Sequence, residues 1–233
     1  MRDANIERRK DESQEQLINR FLEKYYFNKA YHNVRFVEDP VLQGTGVDFL
    51  CDGALFKDVK FDVKAQSSAK YINDPRPTFS LEVTTLNRYG DEEITGWFFH
   101  AKSQTQVYTF VWVHDAVVDD KKRIRSVEDI KKLEVMSVNA TALQDYVDQL
   151  LEDYNMDDIY EISQDMRWRE KTHLDVCQGI HYSHSPQLVE KPVNLVVQKA
   201  LLRKFLYSNK YGHCFVTPEG IQPITYGKPK KKR

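Results

Sequence analysis

The sequence predicts an α/β fold in which helices flank a mixed central sheet. Three features carry that expectation: an amphipathic helical repeat near the start, two short strand-like runs joined by a turn signal, and a late apolar run from Thr105 to Val113.

The first element spans about Asn5 to Phe27. Leu17, Ile18, Phe21, Leu22 and Tyr25 recur at helical spacing, with charged residues on the other faces. Asn33 to Glu38 alternates like a short strand, closed by Asp39-Pro40. Gly46 to Cys51 reads as a second strand, and Asp52-Gly53 after it is a strong hairpin signal. Leu55 to Gln66 is the returning strand. Its alternation places Phe61, Val63 and Ala65 on one face and Asp62, Lys64 and Gln66 on the other. Pro75 and Pro77 mark a polar loop, Thr78 to Leu86 reads as another strand, and Trp97-Phe98-Phe99-His100 fits no single class.

The second half predicts a short helix opening at Ser126-Val127-Glu128-Asp129, a strand from Leu133 to Val138 and a helix from Thr141 to Asp153. An amphipathic helix from Val193 to Tyr207 follows, with Pro192 at its start. No linker rich in Gly, Pro or Ser separates the halves. Residues 1–120 are therefore expected to form the core, residues 121–227 an elaboration packed on it within the same domain, and residues 228–233 a basic tail.

The chain has 233 residues, 41% of them hydrophobic, which is enough to fill a core and excludes global disorder. A formal net charge of −1 gives no basic surface field, so any nucleic-acid contact must come from local patches. No run approaches the roughly 18 apolar residues of a membrane span, so no membrane partner is expected. The charged N-terminus and three scattered cysteines, Cys51, Cys177 and Cys214, predict a cytoplasmic protein with reduced thiols. The sequence sets no oligomeric state and is compatible with a homodimer.

The residues that carry chemistry are Gly46-Val47-Asp48 and Asp62-Val63-Lys64. A hairpin joining their strands brings Asp48 beside the Asp62/Lys64 face. Two carboxylates held together repel, which favours a shared divalent cation. Oxygen ligands suit a hard ion such as Mg²⁺ or Mn²⁺. Lys64 is placed to orient a water or to stabilise charge developing on a phosphate. The bland reading is an exposed Asp62/Lys64 pair on a half-buried strand, with Asp48 an ordinary acid near a turn.

Gly46-Val47-Asp48 followed by Asp62-Val63-Lys64-Ala65-Gln66 resembles the signature of the PD-(D/E)XK, or restriction-endonuclease-like, nuclease superfamily. Its common core is a helix, a three-stranded meander, a helix and a further strand, and residues 12–113 follow that order. The resemblance implies a divalent-metal-dependent nuclease acting on DNA. It makes Asp48 and Asp62 metal ligands together with the Val63 carbonyl, Lys64 the catalytic lysine, and Gln66 a residue near the site. It also implies a first-helix glutamate completing the metal shell, for which Glu15 is the choice and Glu12 the alternative. Two departures stand: Val47 replaces a proline, and an extra strand lies where the family has its second core helix. The competing function is a catalytically inactive protein that keeps this scaffold as a nucleic-acid-binding or interaction module.

Other candidates carry less. Cys177, His181 and His184, with His213-Cys214 later, lack the spacing of a zinc finger, and nothing fixes a partner geometry for a Cys177/His173 nucleophile. Glu82 reads as an outward-facing strand residue. Trp97, Phe98 and Phe99 are candidates for base stacking, with core packing expected for at least two of them.

Overall fold

The structure is a computed structural model that describes the backbone of residues 4–53, 56–87, 89–208 and 210–225, with side chains from residue 13 onward. The basic tail and the side chain of Glu12 lie outside the described residues. No described helix is long and apolar enough to cross a membrane.

Helix α1 (Ala4–Leu22) runs into a π-helical turn, Glu23–Phe27, and a final helical turn, α2 (Asn28–Ala30). The wider π-turn lets consecutive residues Tyr26 and Phe27 both face the core, where each is fully buried. A three-stranded antiparallel meander follows: β1 (His32–Phe36), β2 (Phe49–Asp52) and β3 (Val59–Ala65). The link between β1 and β2 contains a short helix, α3 (Pro40–Gln43), started by Pro40 and capped by Asp39, whose carboxylate accepts the Val41 N–H at 2.8 Å.

The chain then leaves this sheet to make β4 (Thr78–Leu86) and β5 (Glu93–Thr95). It returns as β6 (Val107–Ala116), which pairs parallel to β3. A parallel partner needs a long crossover, and here strands of a second sheet supply it in place of a helix.

The remaining chain adds β7 (Ile130–Asn139), α4 (Ala140–Asp153), α5 (Ile159–Trp168), β8 (His173–Cys177), β9 (Ile180–His184) and β10 (Val193–Gln198). It ends with α6 (Lys199–Leu202), β11 (His213–Thr217) and β12 (Gly220–Pro223). The result is a seven-stranded mixed sheet, β1-β2-β3-β6-β7-β11-β12, and a five-stranded antiparallel sheet, β5-β4-β10-β9-β8. Residues beyond 120 thus contribute strands to both sheets rather than forming a separate layer.

The helix expected from Val193 to Tyr207 is a strand followed by one helical turn and a 3₁₀ turn. Val193, Leu195 and Val197 are fully buried while Asn194 and Val196 between them are half-buried, a period of two that β-branched residues favour. Pro192 therefore precedes a strand and not a helix. Helix α5 and strands β8, β9, β11 and β12 had no clear sequence signal.

Two cores sandwich the larger sheet. On one face Phe21, Phe27, Phe49 and Phe61 pack under α1, with Phe27 stacked on Phe49 at 4.3 Å. Full burial of each such ring contributes about 1.5–3 kcal/mol. On the other face Tyr108, Phe110 and Trp112 pack against Phe79, Leu81 and Leu195 of the smaller sheet. A buried ionic cluster ties the sheets together where β10 ends. Glu134 of β7 accepts from His114 at 2.7 Å, His213 at 2.6 Å and Lys199 at 2.7 Å.

Candidate active site

The hairpin register brings the two acids together. Phe49 pairs with Phe61, so Asp48, immediately before β2, lies beside Asp62. The Asp48 N–H donates to the Phe61 carbonyl at 2.8 Å, and Asp48 Oδ2 accepts the Val63 N–H at 2.7 Å. Peptide groups alternate direction along a strand, so the Val63 carbonyl faces the same edge as its N–H, toward Asp48. β2 does not extend along β3 past this point, which leaves an opening in the sheet beside Asp62.

Side-chain alternation sets the faces. Asp62 pairs with Tyr108 and Lys64 with Phe110 in the parallel register, so both project toward the smaller sheet. Phe61 and Val63 point the other way, into the core beneath α1. Asp62 is only 3% exposed, and its Oδ1 lies 2.9 Å from Lys64 Nζ.

The electrostatics are unbalanced. Burial pushes the Asp62 carboxyl up; Lys64 pulls it down and Asp48 pushes it up again, leaving it at about 7. Burial also raises Asp48, with the Val63 N–H and Lys64 opposing. For Lys64, burial works to lower the ammonium, but Asp62, Asp48 and Glu15 outweigh it and the net direction is upward. Lys64 therefore pairs directly with Asp62 and acts on Asp48 through its charge.

Gly46 makes room for this arrangement. Its φ is +79°, and a Cβ there would stand 2.9 Å from Thr105 Oγ1 and 3.3 Å from Asp62 Oδ2. Thr105 Oγ1 donates to the Gly46 carbonyl at 2.8 Å, fixing the turn against the strand that carries the acids' neighbours.

The acids line a cavity of about 130 Å³ together with Glu15, Asn19, Gly46 and Lys64. Glu15 reaches it from α1, at the exposed rim, and its charge acts on Lys64. Gln66 shares the strand face of Asp62 and Lys64 but does not line the cavity. Its Nε2 donates to the Thr78 carbonyl at 2.6 Å and its Oε1 accepts the Arg76 N–H at 3.1 Å, so its amide braces the loop into β4.

Among the described residues, no group of three or more His, Cys, Asp or Glu side chains assembles a metal site. The zinc candidate dissolves for a simple reason: alternation along β9 puts His181 and His184 on opposite faces, one half-exposed beside His173 and the other buried. At the acid pair the donor set is smaller than three side chains: the carboxylates of Asp48 and Asp62 with the Val63 carbonyl. These are hard oxygen donors, and a divalent cation beside the buried Asp62 and the half-buried Asp48 would favour the charged form of both. Donors of this kind suit a hard cation such as Mg²⁺ or Mn²⁺.

Compared with protein-family models, curated proteins and solved structures, the chain matches none.

Trp97, expected to stack on bases or to pack in the core, lies instead beside Lys64. Its ring centroid lies 4.8 Å from Lys64 Nζ, while Phe98 beside it is fully buried in the core. The contact joins the turn after β5 to β3, two segments far apart in the sequence. Glu82 sits on β4, where its carbonyl accepts the Phe98 N–H at 3.1 Å.

Proposed function

We propose that the protein is a divalent-metal-dependent nuclease that hydrolyses phosphodiester bonds in DNA, with Asp48, Asp62 and Lys64 at its centre. The observation that carries the reading is the convergence of these three side chains on one pocket in a mixed sheet, with Asp62 buried at its base. The order of elements supports it: a helix, a three-stranded antiparallel meander and a strand returning parallel to the last of them. That order is the one the restriction-endonuclease-like resemblance implies, except that the crossover carries β4 and β5 and no helix.

Asp48, Asp62 and the Val63 carbonyl would hold the cation, and Glu15 at the rim adds charge to the same pocket. A bound divalent ion supplies an acidified water and polarises the scissile phosphate. Lys64, an obligate donor, points its ammonium into the pocket from the same strand face as Asp62. It orients the attacking water and stabilises negative charge as it grows on the phosphate oxygens. Asp48 also locks the start of β2 onto β3 through the Val63 N–H, which keeps the two carboxylates in register. The low exposure of Asp62 excludes bulk water and strengthens each of these charge interactions.

The reading is tested by incubating the protein with linear, circular and branched DNA in Mg²⁺ or Mn²⁺, beside Asp62→Asn. Cleavage by the wild type that disappears in the variant and in chelator supports it. DNA that is bound but never cut, in either metal, favours the inactive-scaffold function instead.

A further inference from the structure

We infer that Trp97 is a positioning residue for Lys64, so that the turn after β5 completes a site otherwise carried by the larger sheet. This rests on the nuclease reading and names the part that sets the lysine in place. Lys64 Nζ has two close neighbours of different kinds: Asp62 Oδ1 at 2.9 Å and the Trp97 ring, with its centroid at 4.8 Å. A lysine stem has four rotatable bonds, so a single ion pair leaves the ammonium free to swing. A ring face within about 6 Å attracts a cation and removes that freedom.

Trp97 is itself held rigidly. The Gly96 N–H donates to the Val83 carbonyl at 2.8 Å and the Phe98 N–H to the Glu82 carbonyl at 3.1 Å, which straps this segment along β4. Gly96 allows the close approach, since a Cβ there would lie 2.5 Å from the Glu82 carbonyl oxygen. The Trp97 ring meets Tyr108 edge-on at 5.3 Å, and Tyr108 pairs with Asp62 in the parallel register. From the far side, Gln144 of α4 donates to the Phe98 carbonyl at 2.7 Å. A fixed ring in contact with the ammonium thus restrains it beside Asp62, and displacement of a reacting group by about 1 Å is enough to cost around a hundredfold in rate.

The experiment is a double-mutant cycle on the full chain with Trp97→Leu and Lys64→Met, with Trp97→Phe as the conservative variant. It is read by DNA cleavage under saturating Mn²⁺ and by metal-free thermal midpoints. Trp97→Leu is expected to lower kcat by about tenfold or more with KM within about twofold, because only the placement of Lys64 changes. Trp97→Phe, which keeps a ring face, is expected to recover to within about threefold of wild type. In the Lys64→Met background Trp97→Leu should add no further loss. The midpoints should depart from additivity by about 1–3 °C. Cleavage by Trp97→Leu at the wild-type rate, or the same loss in Trp97→Phe as in Trp97→Leu, overturns the inference. A wild type that cuts no DNA defeats the nuclease reading instead, and the midpoint cycle then decides by itself whether Trp97 holds Lys64: strict additivity overturns that contact.

Discussion

The carboxylate of Asp48 accepts the main-chain N–H of Val63 at 2.7 Å, so one side chain both registers the hairpin and supplies half of the acid pair. These roles separate by substitution. Asp48→Asn keeps an acceptor oxygen for the Val63 N–H and removes the charge. It should fold with a midpoint close to wild type and fail to bind Mn²⁺ by calorimetry. Asp48→Ala loses both and should be destabilised by about 1–3 kcal/mol, because a largely buried N–H is left without a partner. Equal Mn²⁺ affinity in wild type and Asp48→Asn would remove Asp48 from the ligand set.

Metal should stabilise the fold through the same pair. Mn²⁺ at about 100 times its Kd adds roughly 2.7 kcal/mol, which for a chain of this size is about 5–10 °C in Tm. The rise should vanish in Asp62→Asn. Glu15→Gln should show a partial rise, since Glu15 lines the pocket from its exposed rim. A Glu15→Gln protein as insensitive to Mn²⁺ as Asp62→Asn would place Glu15 among the ligands proper.

Gly46→Ala should damage activity more than its size suggests. The added methyl meets Thr105 Oγ1 at 2.9 Å and Asp62 Oδ2 at 3.3 Å, at a backbone φ of +79° that disfavours alanine. Loss of about a hundredfold in cleavage with the far-ultraviolet circular dichroism unchanged is the expected result. Wild-type cleavage by Gly46→Ala would mean that the position of Asp62 is not critical.

The ionic cluster at Glu134 should govern acid stability. Burial works to raise this carboxyl, but hydrogen bonds from His114, His213 and Lys199 outweigh it and hold it well below its ordinary value of 4.5. A carboxyl depressed in the folded state contributes stability above its unfolded value, and that stability is lost as pH falls below it toward the folded one. Wild-type Tm should therefore drop more steeply below about pH 4.5 than that of Glu134→Gln. At pH 7 the variant should be weaker by about 3–5 kcal/mol, because it leaves Lys199 buried beside a neutral group. Parallel acid limbs in the two proteins would contradict this account of the cluster.

Local pattern made the first half of the fold legible. The alternation of Val59 to Ala65, the Asp52-Gly53 turn and the stripe on α1 each specify a backbone conformation within a few residues, and the register of Asp48 against Asp62 follows from them. The second half depends on pairing between distant segments. Val193 to Gln198 is an apolar run whose pattern also fitted a helix, and its pairing with Thr78 to Thr84 and Ile180 to His184, distant in sequence, selects the strand. Gln66 matched the motif by spacing, yet its amide is committed to Arg76 and Thr78, since a loop closing onto its own strand needs those bonds more locally than the site does. Trp97 could not be placed at Lys64 from spacing alone, because it sits in the turn after β5 while Lys64 is on β3.

The central claim is that Lys64 acts on the reaction while Asp48 and Asp62 hold the cation. Cleavage of end-labelled DNA by wild type, Lys64→Ala and Asp62→Asn across a Mn²⁺ series tests it most directly, with folding followed by circular dichroism. The account predicts that Lys64→Ala binds Mn²⁺ and DNA but cuts about 100- to 1,000-fold more slowly at every metal concentration. Asp62→Asn should cut no faster and should lose the metal response. Cleavage by Lys64→Ala at the wild-type rate would contradict the account.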